Sequence, residues 1–241
     1  MDTMMAHRAK PGMQSPTWHQ RSQPRLSAGL RTHGLATGEL VKLHHALAEA
    51  LPATSGVVTQ LVAPEPDASI THVAYDLAYI SASWLDKRVL FVDGTDMRTD
   101  GADPLLPSRS EPFFSTSFDP GNLEASISRV VGLELYQMSF PTMRGALDLA
   151  PVLRRIPEFM DRLRQTFDLV IIASPSAAEA PMGVLLAPYV DGSVLVLASG
   201  RTRGPVAAKL RDSLRASGGS VVGVVLTRCR PHAPRWLQRW L

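Results

Sequence analysis

Apolar residues recur at three- and four-residue intervals at Leu40, Leu43, Ala46, Leu47, Ala50 and Leu51. That period predicts a helix, closed by Pro52 and Gly56. Val57–Ala63 is apolar except for Thr59 and Gln60, the pattern of a central strand buried on both faces. The helical period returns from Ser69 to Leu85, with Val73, Ala74, Leu77, Ala78 and Ile80 as its buried stripe. Arg88–Val92 reads as a second strand, Leu123–Val131 as a short helix and Gly132–Met138 as a third strand. A strongly amphipathic helix follows over Pro151–Phe167, with Val152, Ile156, Phe159, Met160 and Leu163 on one face. Leu169–Ala173 and Ser193–Ala198 read as buried strands, Pro205–Ala216 as a helix with proline near its start, and Val221–Leu226 as the last strand. Strands alternating with helices predict an α/β fold: a parallel sheet, right-handed crossovers and helices on both faces.

Length agrees with one such domain, since 241 residues is within the range a single α/β unit reaches. Hydrophobic residues make up 45% and charged residues 20%, enough for a large core. The net charge of +3 is unevenly spread. Residues 1–38 hold five basic residues against Asp2 and mix Pro, Gly, Ser, Gln and His without apolar periodicity. They are expected to be a disordered basic segment with Trp18 as its one large side chain. Residues 228–241 hold four arginines and no acid. The domain between, 39–227, is therefore acidic, with a basic segment at each end. Such ends suit an anionic lipid surface, nucleic acid or an acidic partner. Gly101–Pro120 is expected to be a long loop carrying the pair Phe113 and Phe114. Cys229 is the only cysteine, which excludes an internal disulfide and fits a reducing compartment. The N-terminal segment lacks the apolar core of a secretory signal, and no apolar run approaches the ~18–20 residues of a spanning helix. These features predict a cytoplasmic protein, peripheral at most to the inner face of a membrane.

Candidate chemistry centres on Val57–Val92, a strand, loop, helix and strand. In this unit a glycine-rich loop can cradle phosphates at a helix N-terminus. The loop here, Pro64-Glu-Pro-Asp-Ala-Ser-Ile-Thr71, has neither glycine nor lysine. Asp93 and Asp96, with Arg98, stand at the end of the second strand, where a cation or a partner's phosphate could be held. His44, His45 and His72 lack companions at metal-ligand spacing. Ser174 and Ser176 follow a strand but lack the turn of a nucleophile elbow. Arg154, Arg155, Arg162 and Arg164 read as the solvated face of a helix. In the tail, Trp236, Leu237, Trp240 and Leu241 share one side and Arg235 and Arg239 a neighbouring one. That pattern fits a membrane interface or a partner's groove, or packing back on the domain.

The order of these pieces resembles the bacterial tyrosine kinases of capsule and exopolysaccharide assembly, P-loop ATPase-like proteins related to the Min and Par ATPases. The resemblance spans about Glu39 to Thr227. Where that family has Pro-Gly-Glu-Gly-Lys-Ser/Thr, this chain has Pro66-Asp-Ala-Ser-Ile-Thr71, followed by the similar Val73-Ala-Tyr-Asp-Leu-Ala78. Lys87-Arg-Val-Leu-Phe-Val-Asp93 resembles the second motif, and Phe167-Asp-Leu-Val-Ile-Ile-Ala173-Ser-Pro175 the third. Asp191-Gly-Ser-Val-Leu-Val-Leu and Gly219-Ser-Val-Val-Gly-Val-Val-Leu-Thr227 resemble the closing strands. The resemblance implies a degenerate nucleotide site at Ser69, Ile70, Thr71 and Asp93, with Thr71 and Asp93 as the magnesium ligands if Mg-ATP binds. Several departures count against catalysis. Asp67 and Ser69 replace the loop glycines, Ile70 replaces the lysine and Ala173 replaces the Walker B aspartate. A carboxylate at position 67 would repel a phosphate charge by about 4 kcal/mol at ~4 Å and an effective dielectric of ~20. The tyrosine cluster that ends those kinases is missing. Tyr75, Tyr79, Tyr136 and Tyr189 all lie within 39–227.

The expected function is a non-catalytic cytoplasmic partner in exopolysaccharide or capsule biosynthesis. It would dock on an integral membrane co-polymerase or export protein, with no cofactor. Trp236, Arg239 and Trp240 are the expected contacts to that partner or to the membrane surface. Nucleic acid is not favoured, and a homo-oligomer is compatible. The alternatives are an ATPase or autokinase with rebuilt ligands, and a membrane-positioning protein of the Min and Par type.

Overall fold

A computed structural model describes residues 19–20, 37–51, 56–67, 69–85, 87–95, 127–130, 132–139 and 150–229. In chain order these form β1 (His19–Gln20), α1 (Thr37–Ala50), β2 (Val57–Val62), α2 (Ser69–Trp84), β3 (Val89–Asp93) and β4 (Ser128–Arg129). They continue with β5 (Leu135–Ser139), α3 (Ala150–Thr166), β6 (Leu169–Ala173) and α4 (Met182–Leu186). A 3-10 turn (Ala187–Tyr189), β7 (Gly192–Ala198), α5 (Gly204–Ala216) and β8 (Val221–Thr227) complete the set. The strands make one sheet in the order β1-β4-β5-β3-β6-β2-β7-β8. The six longer strands, β5, β3, β6, β2, β7 and β8, are mutually parallel.

Strand periodicity decides which helix each residue meets. Leu61, Phe91, Ile171, Val194 and Val196 point to one face, under α1 and α2, and pack with Leu40, Leu47, Ile70, Val73 and Leu77. Val58, Leu90, Val92, Val170 and Ile172 point to the other, where α3 lays Ile156, Phe159, Met160 and Leu163. On that second face α5 covers Val62 and Leu195 with Leu210 and Leu214. The expected arrangement, a parallel sheet between two helical layers, holds for these elements.

Two sequence expectations are corrected. The helix expected over Leu123–Val131 is not formed in its described part. Ser128–Arg129 is a strand, antiparallel to β5, so the sheet is not wholly parallel. A hairpin wins here because Gly132, at φ 85°, takes a left-handed turn that costs other residues energy. Val130 N–H then donates to Leu135 O at 2.8 Å, Arg129 pairs with Glu134, and the Arg129 guanidinium lies 5.8 Å from the Tyr136 ring centroid. The second correction concerns Arg164, which does not simply face solvent. Its guanidinium bonds Asp191 Oδ1 at 3.2 Å and Tyr189 O at 2.8 Å, while Asp191 Oδ2 accepts Val58 N–H at 2.7 Å. The end of α3 is thereby tied to the starts of β2 and β7. The Gly101–Pro120 loop, Phe113 and Phe114, Asp96 and Arg98 lie outside the described residues. So do residues 230–241 and nearly all of 1–36, except for β1, which pairs with β4.

α1 meets α2 through a polar contact inside apolar surroundings. His44, 6% exposed, bonds Ser81 Oγ at 2.9 Å. Ser81 gives its own proton to Leu77 O at 2.7 Å, so the imidazole donates through Nδ1. Burial, with smaller contributions from Lys87 and His45, lowers the His44 pKa from 6.5 to about 4. The fold therefore favours neutral His44. The stability it contributes is present above the unfolded value of 6.5 and is lost as pH falls toward 4. At about 1.4 kcal/mol per unit, the limit is about 3 kcal/mol. Thermal denaturation from pH 7 to 4 should show Tm falling more steeply in the native chain than in His44→Gln, which cannot titrate. Parallel curves would remove this assignment.

Candidate functional site

β2 ends at Val62, and the chain turns through Ala63–Asp67 into the N-terminus of α2. That end of a helix presents free N–H groups and the positive end of the helix dipole. The structure fills it from within. The Asp67 carboxylate accepts Ser69 N–H at 3.0 Å and the Ser69 hydroxyl. Arg228 reaches across from the end of β8 to donate to the same oxygen, Asp67 Oδ1, at 3.1 Å. Burial pushes the Asp67 pKa up, but the Ser69 hydrogen bonds and the Arg228 charge outweigh it and hold the group below its ordinary value. Asp67 is thus an anion at neutral pH, only 8% exposed at its side chain. Arg228 has φ 56°, a left-handed conformation that costs an ordinary residue about 1 kcal/mol or more.

Ile70 follows Ser69 but turns away from this corner. It is 1% exposed and lies in the core under α2 with Val73, Ala74 and Leu77. Thr71, one residue on, points toward the end of β3. Its hydroxyl meets Thr95 Oγ1 at 2.8 Å, and Thr95 donates to Asp93 Oδ1 through both its hydroxyl (2.7 Å) and its N–H (2.9 Å). Because the Thr95 proton goes to Asp93, Thr71 donates to Thr95. Parallel pairing sets Asp93 beside Ala173, and Gly94 N–H donates to Ala173 O at 2.8 Å. Ala173 is fully buried. Thr71 and Asp93 are thus joined through Thr95 at the end of β3, Ser69 stands with Asp67 at the N-terminus of α2, and Ile70 belongs to the core. Trp236, Arg239 and Trp240 lie outside the described residues.

Sequence reasoning missed three parts of this corner. Thr95 joins Thr71 to Asp93, and nothing in the spacing of a lone threonine announces it. Arg228 is far from Asp67 in the chain. Behind the corner, Gln60 is buried at the centre of β2. Its amide donates to Gly183 O and to Ser193 Oγ, each at 2.9 Å, and accepts from Ser174 Oγ at 2.8 Å. A glutamine in an otherwise apolar strand was the available signal. Ser176 donates to Glu179 at 2.7 Å, and both serines are buried. Among the described residues no helix is long and apolar enough to cross a membrane.

No protein-family model matches the chain, and no curated protein sequence does. Solved structures do. The BceF tyrosine kinase domain is 24% identical, with a TM-score of 0.66 over 82% of this chain and 79% of that one. The kinase domain of the Escherichia coli tyrosine kinase ETK is 21% identical, with a TM-score of 0.63 over 83% and 79%. The MinD cell division protein of Aquifex aeolicus is 14% identical, with a TM-score of 0.54 over 77% and 73%. The chain has the α/β fold of the P-loop ATPase type, the fold shared by these bacterial tyrosine kinase domains and MinD.

Proposed function

We propose that this chain is a non-catalytic relative of the bacterial tyrosine kinases, acting by docking rather than by phosphoryl transfer. The observation that carries the reading is the Asp67 carboxylate at the N-terminus of α2, held by Ser69 and Arg228. A nucleotide phosphate would need that place, and would meet a like charge there. The residues around it do not fit Mg-ATP. The loop lacks the glycines that let successive N–H groups turn inward, Ile70 supplies no cation, and Ala173 supplies no carboxylate for magnesium. The process proposed is exopolysaccharide or capsule assembly at the inner face of the plasma membrane. The partner proposed is an integral membrane co-polymerase or export protein. Support for both is the resemblance to the exopolysaccharide kinases, together with a fold like those of the BceF and ETK kinase domains.

Thermal stability with and without Mg-ATP and Mg-ADP tests the non-catalytic reading. A ligand present at 100 times its Kd stabilises by about 2.7 kcal/mol. At about 2–4 °C per kcal/mol for a domain of this size, that is a shift of at least 5 °C. The expected result at millimolar nucleotide is no shift. A shift of several degrees would overturn the reading in favour of a second one, a nucleotide-binding protein with a rebuilt site. The hydroxyl chain Thr71–Thr95–Asp93 is the observation that favours this second reading, since it leaves a threonine and a carboxylate side by side.

A further inference from the structure

β8 stands at the end of the sheet and, among the described residues, has a neighbour on one side only. Its sequence, Val221-Val-Gly-Val-Val-Leu-Thr227, carries no charge to blunt that edge. Val224 and Leu226 are 54% and 52% exposed. Pairing sets them beside Leu195 and Leu197, on the face that α5 covers. α5 centres its apolar stripe, Leu210 and Leu214, over Val62 and Leu195 and leaves the outer strand open. The apolar surface over β8 therefore continues the core outward along an open strand edge.

Charge decides what can lie there. Residues 199–227 hold five basic side chains, Arg201, Arg203, Lys209, Arg211 and Arg215, against Asp212 alone, a net +4. Helical spacing puts Ala207, Arg211 and Arg215 on one flank of α5, and the right-handed crossover β7–α5–β8 turns that flank toward β8. Arg211 also contacts Asp212 at 2.8 Å, the one acid in the stretch. The chain's own last segment adds Arg230, Arg235 and Arg239 and no acid, so like charge would oppose its lying there. A second copy joined through the same edge would set two +4 stretches together. A bilayer needs apolar groups that project, whereas Val224 and Leu226 lie on a sheet face beside a helix.

We infer that β8 is a docking edge for an extended acidic segment of a partner protein. That segment adds a strand along β8. Its side chains on the face that carries Val224 and Leu226 are in turn apolar, resting over those two residues, and acidic, directed toward Arg211 and Arg215, and its other face is polar. This deepens the docking reading above, and its test is separate: nucleotide titration decides whether the corner at α2 binds nucleotide, and peptide binding decides this edge.

The probe is a short fluorescent peptide with valine and glutamate in turn at every second position and threonine between them (Thr-Val-Thr-Glu-Thr-Val-Thr-Glu), titrated with the full chain. Saturable binding is expected. A valine–lysine counterpart should bind at least about tenfold more weakly, since like charge opposes it. A valine–glutamate peptide N-methylated at alternate residues should lose a similar factor, because it cannot pair as a strand. Leu226→Glu should also lose about tenfold, while Trp84→Glu, at an exposed residue (61%) on α2, should change nothing. Absence of saturable binding overturns the inference, as does equal binding of the lysine or N-methylated peptide. So do binding to anionic vesicles, or a concentration-dependent dimer, that Leu226→Glu abolishes.

Discussion

Replacing Ile70 by lysine is expected to destabilise the domain by about 3–5 kcal/mol and to confer no affinity for nucleotide. Two effects add. The isoleucine side chain, 1% exposed among Val73, Ala74 and Leu77, leaves the core. An ammonium group then enters a site lined by apolar atoms, where it either stays charged without a partner or loses its proton. The nearest motif carboxylate, Asp67, is already held by Ser69 and Arg228. At about 2–4 °C per kcal/mol, Tm should fall by about 6–20 °C. Ile70→Val is the control, with an expected loss of about 1 kcal/mol. Denaturation curves for both variants, repeated with Mg-ATP, check this. A lysine tolerated without loss, together with a new shift on adding nucleotide, would mean that the corner needs only its cation.

The layout of the fold was legible because its strands are buried on both faces. Leu169–Ala173 and Val89–Val92 are continuous apolar runs, and such runs between amphipathic helices leave little choice of architecture. Most element ends fell within one or two residues of the sequence reading. The hairpin at Ser128–Arg129 was not legible, since two strand residues carry no periodicity and the turn at Gly132 decides their pairing. α4, five residues long, is too short to show a period. At the site, the identities of Asp67, Ile70 and Ala173 could be read, but their physical roles could not. Asp67 looked like a repelling charge in a phosphate loop. Its role as the anion at α2 rests on Ser69 and on Arg228, which is 161 residues away, just past the end of β8. Ile70 looked like a missing lysine, and only the packing of α2 on the sheet shows it to be core. Contacts this remote leave no local pattern to read.

Gln60→Leu is expected to cost a similar amount by a different route. Leucine nearly matches the volume of glutamine, so the loss is polar rather than steric. Gly183 O, Ser174 Oγ and Ser193 Oγ would all lose their partner in Gln60, and both serines are fully buried. A buried polar group left unsatisfied costs about 1–3 kcal/mol, so the three together make about 3–5 kcal/mol after partial relaxation. The network also fixes geometry. Ser174 follows β6, Gly183 belongs to α4 and Ser193 to β7, so one side chain on β2 ties three neighbouring elements to the strand that leads into Asp67. The double variant Gln60→Leu with Ser174→Ala removes one of the stranded hydroxyls. It should therefore be more stable than Gln60→Leu alone, since deleting both partners of a bond costs less than deleting one. Urea denaturation of the two single variants and the double variant measures this directly. Strict additivity would show that Ser174 finds another partner when Gln60 is lost, and that the corner at the ends of β2 and β6 does not depend on this amide.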